Sequence, residues 1–214
     1  MDARKNQQPG RPSVGPPPLT GEPLPLELVN TTYVKGGLRG RVVDALAGPG
    51  DLDRWLAAHR QQFGPAVAQA LGCSEPADRV HVEAFLELRH ALRELTAART
   101  SGRTPEPEHT AVVNAAARLA AQWRELGPSF EAVLRSSESD PRRRALGEVG
   151  AAAVELFSGE QADRIRACAA PGCILYFVRT HARREWCTAG CGNRVRVARH
   201  SRRAQEGGRR EPSA

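Results

Sequence analysis

The chain has 214 residues, 40% hydrophobic and 26% charged, with a net charge of +7, room for one sizeable domain or a medium one with a small appendix. No stretch approaches the roughly 18 apolar residues of a membrane span, and the first 25 residues lack the apolar centre of a secretory signal. The chain therefore reads as cytoplasmic with no membrane partner, and its five cysteines as buried thiols, catalytic thiols or metal ligands in preference to disulfides.

Residues 1–23 are rich in Pro, Gly and polar side chains, with too little apolar surface to repay ordering, and are expected to be a disordered leader. Leu24 to Val34 is apolar and partly β-branched; it breaks at Gly36 and Gly37 and resumes from Arg41 to Leu46. That predicts a short helix or strand leading into a hairpin. From Pro49 the signals turn helical: Gly50 or Asp51 caps a helix with Leu52, Trp55, Leu56 and His59 at spacings of three and four, Leu52, Trp55 and Leu56 facing a core.

A longer amphipathic helix is predicted from about Asp78 to Arg99, with Val82, Phe85, Leu86, Leu88, Leu92 and Leu95 on one stripe. Ser101 to Pro107 is a loop by composition, and His109 to Leu126 repeats Val112, Ala116, Leu119 and Trp123 at helical spacing. Asp140-Pro141 supplies an N-cap and a proline at the first helical position, ahead of Leu146, Val149, Ala153, Val154 and Phe157, with Gly159 as the stop. A last short helix, Glu160 to Ala167, delivers the chain to Cys168. The expected fold is mainly α: a multihelical domain with a small β element over residues 24–163. A small zinc module, a β-hairpin or knuckle followed by a helix, covers 164–203, and a disordered tail 204–214.

Four of the five cysteines form two close pairs, Cys168-x4-Cys173 and Cys187-x3-Cys191. Four thiolates on one ion complete a closed tetrahedron with no open position for a catalytic water, so the expected cofactor is one structural zinc; an iron–sulfur centre shares the donor set. Ala169 to Gly172 is turn chemistry that wraps the ion, Ile174 to Val178 reads as the strand leaving it, and Tyr176 and Phe177 pack the module. In a regular helix Cys187, Cys191, Val195 and Ala198 share one face, and Arg196, Arg199 and Arg203 another. His181 and His200 are weighed as substitute ligands and read as surface or phosphate-contacting side chains, and Cys73 as a small buried residue.

Charge is unevenly placed. Residues 164–214 hold 12 Arg against Glu185, Glu206 and Glu211, a net +9, which leaves −2 for the remainder. An Arg cluster fused to a metal module points to a polyanion.

The strings Cys168-Ala-Ala-Pro-Gly-Cys173, Arg183-Arg-Glu-Trp-Cys187 and Cys191-Gly-Asn-Arg194 before a basic helix resemble the CGNR zinc finger family. Upstream, Leu26-Glu-Leu-Val-Asn-Thr31, Asp44-Ala-Leu46 and Asp51-Leu-Asp-Arg-Trp-Leu56 look like the ABATE domain that precedes this finger in bacterial proteins described as stress-induced transcription regulators. The resemblance covers about residues 24–203, carries the four ligands over to Cys168, Cys173, Cys187 and Cys191, and implies DNA binding.

The leading expectation is a one-component regulator whose helical domain dimerises or binds a small-molecule effector, and whose finger offers Asn193, Arg194, Arg196, Arg199, Arg202 and Arg203 to DNA. Asn193 and Arg194 serve equally well, on the sequence, to brace the finger against the helical domain. The alternative is a zinc-stabilised protein-interaction or RNA-binding module. Glu27, Asn30, Arg39 and Arg41 are candidates for an effector pocket. No P-loop, dinucleotide glycine motif, nucleophile elbow or metalloprotease His-Glu pair is present, so no enzymatic activity is expected.

Overall fold

A 22-residue helix, α4 (Arg79–Thr100), is the axis on which the other elements pack. Asp78 starts it with a reciprocal capping box: its carboxylate accepts from the His81 N–H at 3.0 Å, and the His81 ring accepts from the Asp78 N–H at 3.2 Å. Val82, Phe85, Leu88, Leu92 and Leu95 recur at helical spacing and are buried. Each large side chain so buried stabilises the fold by roughly 1.5–3 kcal/mol. The computed structural model describes residues 21–208, with side chains as far as Ser201. Residues 1–20 of the expected leader and 209–214 of the expected tail lie outside the described residues.

Around α4 stand α1 (Leu24–Val29), the antiparallel hairpin β1 (Thr32–Lys35) and β2 (Arg41–Asp44), α2 (Pro49–Ala58), α3 (Pro65–Leu71), α5 (Pro107–Arg118) and α6 (Pro141–Ser158). The expected short helix and hairpin are both present. Trp55 of α2 meets Phe85 edge-on with ring centroids 5.9 Å apart, joining two stripes predicted separately. Helices α5 and α6 approach closely because Gly150 and Gly147 stand at their crossing; a β-carbon on Gly150 would fall 2.6 Å from the Ala117 nitrogen.

The chain departs from expectation between 119 and 136. Helix α5 stops at Arg118, and the residues expected to prolong it form strand β3 (Gln122–Leu126), paired antiparallel with β4 (Ala132–Ser136). Pro128 disfavours helical backbone at the residue before it, and Trp123, expected at helical spacing after Leu119, is 46% exposed above the Trp123↔Arg135 pair. Glu125 holds that face together, accepting from Trp123 Nε1 at 2.8 Å and Arg135 Nε at 3.0 Å.

Smaller departures have local causes. Gly48, one residue before Pro49, is the N-cap of α2 in place of Gly50 or Asp51, because proline fixes the first helical position. Cys73 is exposed, since it sits in the turn just past α3 and not on the helix's buried side. Val154 is exposed on α6. The expected helix over 160–167 is a single 3-10 turn, Ala162–Arg164, followed by strand β5 (Ile165–Ala167), whose pairing with β6 (Tyr176–Val178) overrides local helix propensity. The last element is α7 (Ala189–Gly208).

Helix α6 starts as the sequence predicts, with Asp140 accepting from the Arg142 and Arg143 N–H groups, and the same carboxylate takes a 2.6 Å contact from His81 Nε2. Burial pushes the Asp140 carboxyl up, but the hydrogen bonds from His81 and the two backbone N–H groups outweigh it and hold it below its ordinary value. A depressed carboxyl stabilises the fold above its unfolded pKa and loses that contribution as pH falls through the folded one. Asp140→Ala is expected to cost about 1 kcal/mol in a neutral-pH denaturant melt. Its gap from the parent should close as pH falls below about 4.

Candidate metal centre and its seat

Strand β5 leads into the first cysteine and β6 leaves the second, so the ladder between them sets the mouth of a knuckle. The Cys168 N–H donates to the Leu175 carbonyl at 2.9 Å, and the Cys173 N–H to the Ala170 carbonyl at 2.9 Å, closing the turn that the Ala-Ala-Pro-Gly composition predicts. Cys187 and Cys191 approach from the other side, at the entry to α7. All four sulfurs lie within 4.8 Å of one another. The Cys173–Cys187, Cys187–Cys191 and Cys191–Cys173 separations are 3.7, 3.5 and 3.7 Å.

A zinc ion bonded to four sulfurs at about 2.3 Å has tetrahedral edges of about 3.8 Å. The Cys173, Cys187 and Cys191 sulfurs match one face of that tetrahedron, with the Cys168 sulfur within 4.8 Å of each. Protonation is consistent with a cation among the sulfurs. Hydrogen bonds from Cys173 and Cys187 hold the Cys168 thiol down to about 2. The same contacts with Cys168 push Cys173 up to about 11, and those with Cys168 and Cys173 push Cys187 up as well. Four sulfurs this close cannot all be thiolates by themselves, and a dication at their centre removes the conflict. His181 and His200 are exposed and stand outside the cluster, as expected.

Each residue of the Cys191–Arg194 string has a distinct place. Cys191 is a ligand in the first turn of α7, its N–H donating to the Thr188 hydroxyl at 3.3 Å. Gly192 has no β-carbon because one would lie 2.8 Å from Cδ1 of Trp186, which covers the helix there. Asn193 is exposed. Arg194 turns inward: its Nη2 donates to the Cys191 sulfur at 2.9 Å, and its side chain runs beside Gly37 of the β1–β2 turn. On the rest of α7, Val195 is buried against the cysteines while Arg196, Val197, Ala198, Arg199 and His200 are exposed. Ala198 therefore does not share the packed face. The side chains of Arg202 and Arg203 lie outside the described residues.

The module is seated on the helical domain by contacts that sequence reasoning largely missed. On β6, Phe177 faces β5, so the N–H and C=O groups of Tyr176 and Val178 point away from the ladder. Asn30 meets the first pair, Oδ1 accepting from the Tyr176 N–H at 3.0 Å and Nδ2 donating to its carbonyl at 2.9 Å. Glu22 and Arg184 meet the second: the Val178 N–H donates to Glu22 Oε2 at 2.8 Å, and Arg184 Nη1 donates to the Val178 carbonyl at 3.0 Å. Arg184 also ion-pairs with Glu22 and donates to the Cys187 carbonyl at 3.1 Å. Burial pushes the Glu22 carboxyl up, against the Val178 and Arg184 contacts that favour its charge. Glu22, placed with the leader by composition, is 3% exposed.

The four residues expected to line an effector pocket divide between two environments. Asn30 belongs to the seam just described. Glu27 is buried, accepting from the Glu22 N–H at 2.8 Å with its other oxygen 3.5 Å from His59 Nε2. Arg39 and Arg41 are exposed on the β1–β2 hairpin. Helix α4 adds a further tie: Arg93 donates to the Val29 carbonyl at 2.7 Å, to the Thr32 carbonyl at 3.2 Å and to Ile174 of the finger at 3.4 Å. Gly172, at φ +72°, lies flat on the β1–β2 turn, where a β-carbon would be 2.7 Å from the Gly37 carbonyl.

Comparison with known protein families agrees with this division. The ABATE family model, described as "Putative stress-induced transcription regulator", matches residues 22–160, more than half of the chain. The CGNR zinc finger model matches residues 164–204. The chain belongs to the ABATE family and carries a CGNR zinc finger whose four clustered cysteines, Cys168, Cys173, Cys187 and Cys191, are able to hold one zinc ion. Neither family is enzymatic. None of the curated proteins matches the chain. No helix among the described residues is long and apolar enough to cross a membrane.

Elemental analysis is expected to give one zinc per chain, lost in Cys173→Ser, and chelation should change the fluorescence of Trp186 as the turn beneath it opens. Arg194→Met, which removes the hydrogen bond to a ligand sulfur, is expected to weaken zinc about 10- to 100-fold in a chelator competition while leaving the metal count at one. Gly172→Ala combines a left-handed backbone with a collision against Gly37. It should lower stability by about 1–3 kcal/mol in a thermal melt.

Proposed function

We propose that this ABATE-family chain is a transcription regulator that binds duplex DNA through the exposed face of α7, its helical domain serving to dimerise or to sense a small molecule. The observation that carries the reading is the two-sidedness of that helix. Cys191 and Val195 seat it on the zinc cluster, while Asn193, Arg196 and Arg199 are exposed to solvent. A metal-anchored helix with one basic, solvated face has the form that enters a major groove, where arginine meets phosphate or guanine and asparagine meets adenine. Arg202 and Arg203 continue the same sequence.

The reading narrows the expected set of DNA contacts. Arg194 is occupied with the Cys191 sulfur and the β1–β2 turn, so it serves as a brace and Asn193 as a reader. The two halves of the motif thereby separate: Gly192 and Arg194 shape the finger, and Asn193 faces outward. Recognition involves no bond making, and the closed four-sulfur shell leaves zinc an architectural part.

Fluorescence anisotropy with labelled duplex DNA across a salt series tests the proposal. The wild type should bind at low salt and weaken linearly in log–log form. The Arg196→Ala, Arg199→Ala double variant should bind more weakly to all sequences, with the slope reduced by about 1.8 if each arginine neutralises one phosphate. Asn193→Ala should instead relax preference at one base position. A zinc-loaded, folded protein with no affinity for duplex DNA at low salt would sink the reading in favour of an RNA or protein partner.

A further inference from the structure

The C-terminal ends of α4 and α6 and the first half of α5 enclose a cleft of about 290 Å³ that none of the expected site residues touches. Its walls are apolar: Leu95 and Ala98 from α4, Val113 from α5, Ala153 and Phe157 from α6. Two cations stand among its lining residues, Arg99 and Arg103, and no carboxylate is among those residues. The volume is at the small end of ligand cavities, which run from roughly 300 to 1,000 Å³. Apolar walls with two arginines at the rim suit one chemical class, a small molecule with an apolar body and a single carboxylate.

The pairing of Arg99 supports that class. Its Nη2 donates to Asp163 at 2.5 Å, but the Asp163 side chain is 91% exposed, and ion pairs to so solvated a carboxylate hold weakly. A ligand carboxylate resting in the cleft can take over that arginine. Arg103 is committed still less, its Nε donating to the Ser101 hydroxyl at 3.0 Å.

Two side chains connect the cleft to the zinc module. Arg99 Nε donates at 3.3 Å to the carbonyl of Ala162, in the 3-10 turn that runs into β5 and so into Cys168. Phe157 lines the cleft and also packs against the cluster formed by Leu26, Leu156, Ile165 and Val178, two of which lie on β5 and β6. An occupant that displaces Arg99 or Phe157 acts on the strands that set the mouth of the knuckle. We infer that the α4–α5–α6 cleft is a binding site for a small amphipathic carboxylate, and that its occupancy is felt at the zinc module through Arg99 and Phe157. This inference rests on the regulatory reading above only for its biological meaning, because binding and its effect on zinc are measurable without DNA.

Calorimetric titration of the zinc-loaded full chain with decanoate, and with decanol as an uncharged control, tests it. Decanoate is expected to bind one to one and more tightly than decanol. Val154→Trp, at an exposed position on the rim, should abolish binding of both without unfolding the chain. Arg103→Gln should weaken decanoate about ten-fold and leave decanol unchanged, as the loss of a charge-assisted contact requires. Saturating decanoate should also change the rate at which a chelator removes zinc, and Arg99→Gln should suppress that change. No binding of decanoate, or binding unaffected by Val154→Trp, overturns the site; an unchanged zinc-release rate at saturation overturns the coupling. DNA affinity lost in the Arg196 and Arg199 variants but decanoate binding retained would show that the two proposals stand or fall separately.

Discussion

Strand β6 has an edge that no third strand among the described residues covers, and the seating of the zinc module follows from how that edge is satisfied. Its outward N–H and C=O groups are polar and lie in a protein seam where an unmade hydrogen bond costs about 1–3 kcal/mol. Asn30 supplies donor and acceptor to Tyr176 as a neighbouring strand would, and Glu22 with Arg184 does the same for Val178. An edge closed in this way is unavailable to other chains. It also binds the zinc knuckle to α1 at fixed register, since a slip of one residue would turn the wrong peptide groups outward.

Once β6 is fixed, the other contacts of the module take their positions from it. Gly172 can lie on the β1–β2 turn because the knuckle is already at that height, and Arg194 then has the same turn against one side and the Cys191 sulfur at its end. Arg184 joins the edge to the metal site directly, through the Val178 and Cys187 carbonyls. Zinc folds the finger, but the side chains of the helical domain decide where its helix points. That division leaves α7 free to keep one face for packing and the other for a partner.

What was legible in the sequence was whatever rests on local pattern. The α4 stripe, the Asp140 cap with Pro141, and the four cysteines each declare themselves within a few residues, and all three are where the pattern puts them. Gln122–Leu126 was misread because Trp123 happens to continue a three-and-four spacing from Val112, while the pairing that makes it a strand lies ten residues further on. Ile165–Ala167 failed for the same reason, its partner strand being on the far side of the knuckle. Asn30 and Glu22 were the hardest. Their role depends on a strand about 150 residues away, and the only signals near them, a polar residue after an apolar run and a Gly-Glu-Pro string, read more naturally as a pocket and a leader. The charge asymmetry pointed to the α7 arginines, but nothing in it could separate Arg194, turned to sulfur, from Arg196, turned to solvent.

The same seam gives the helical domain a physical means of influencing the finger. Strand β5 enters the cluster from a 3-10 turn held by Arg99, and β6 leaves it along an edge held by Glu22 and Asn30, on either side of α1, so both strands that carry the first cysteine pair are held by the helical domain as well as by Arg184 of the finger. A short two-stranded ladder has little stiffness of its own, and it adopts the geometry its neighbours impose. Zinc, by contrast, tolerates little change in the sulfur tetrahedron. With zinc bound, a displacement of β5 or β6 would therefore move the cluster as a unit, with α7 attached to it through Cys187 and Cys191. A metal that makes the module rigid is what would turn a shift at the seam into a shift in the direction of the arginine helix.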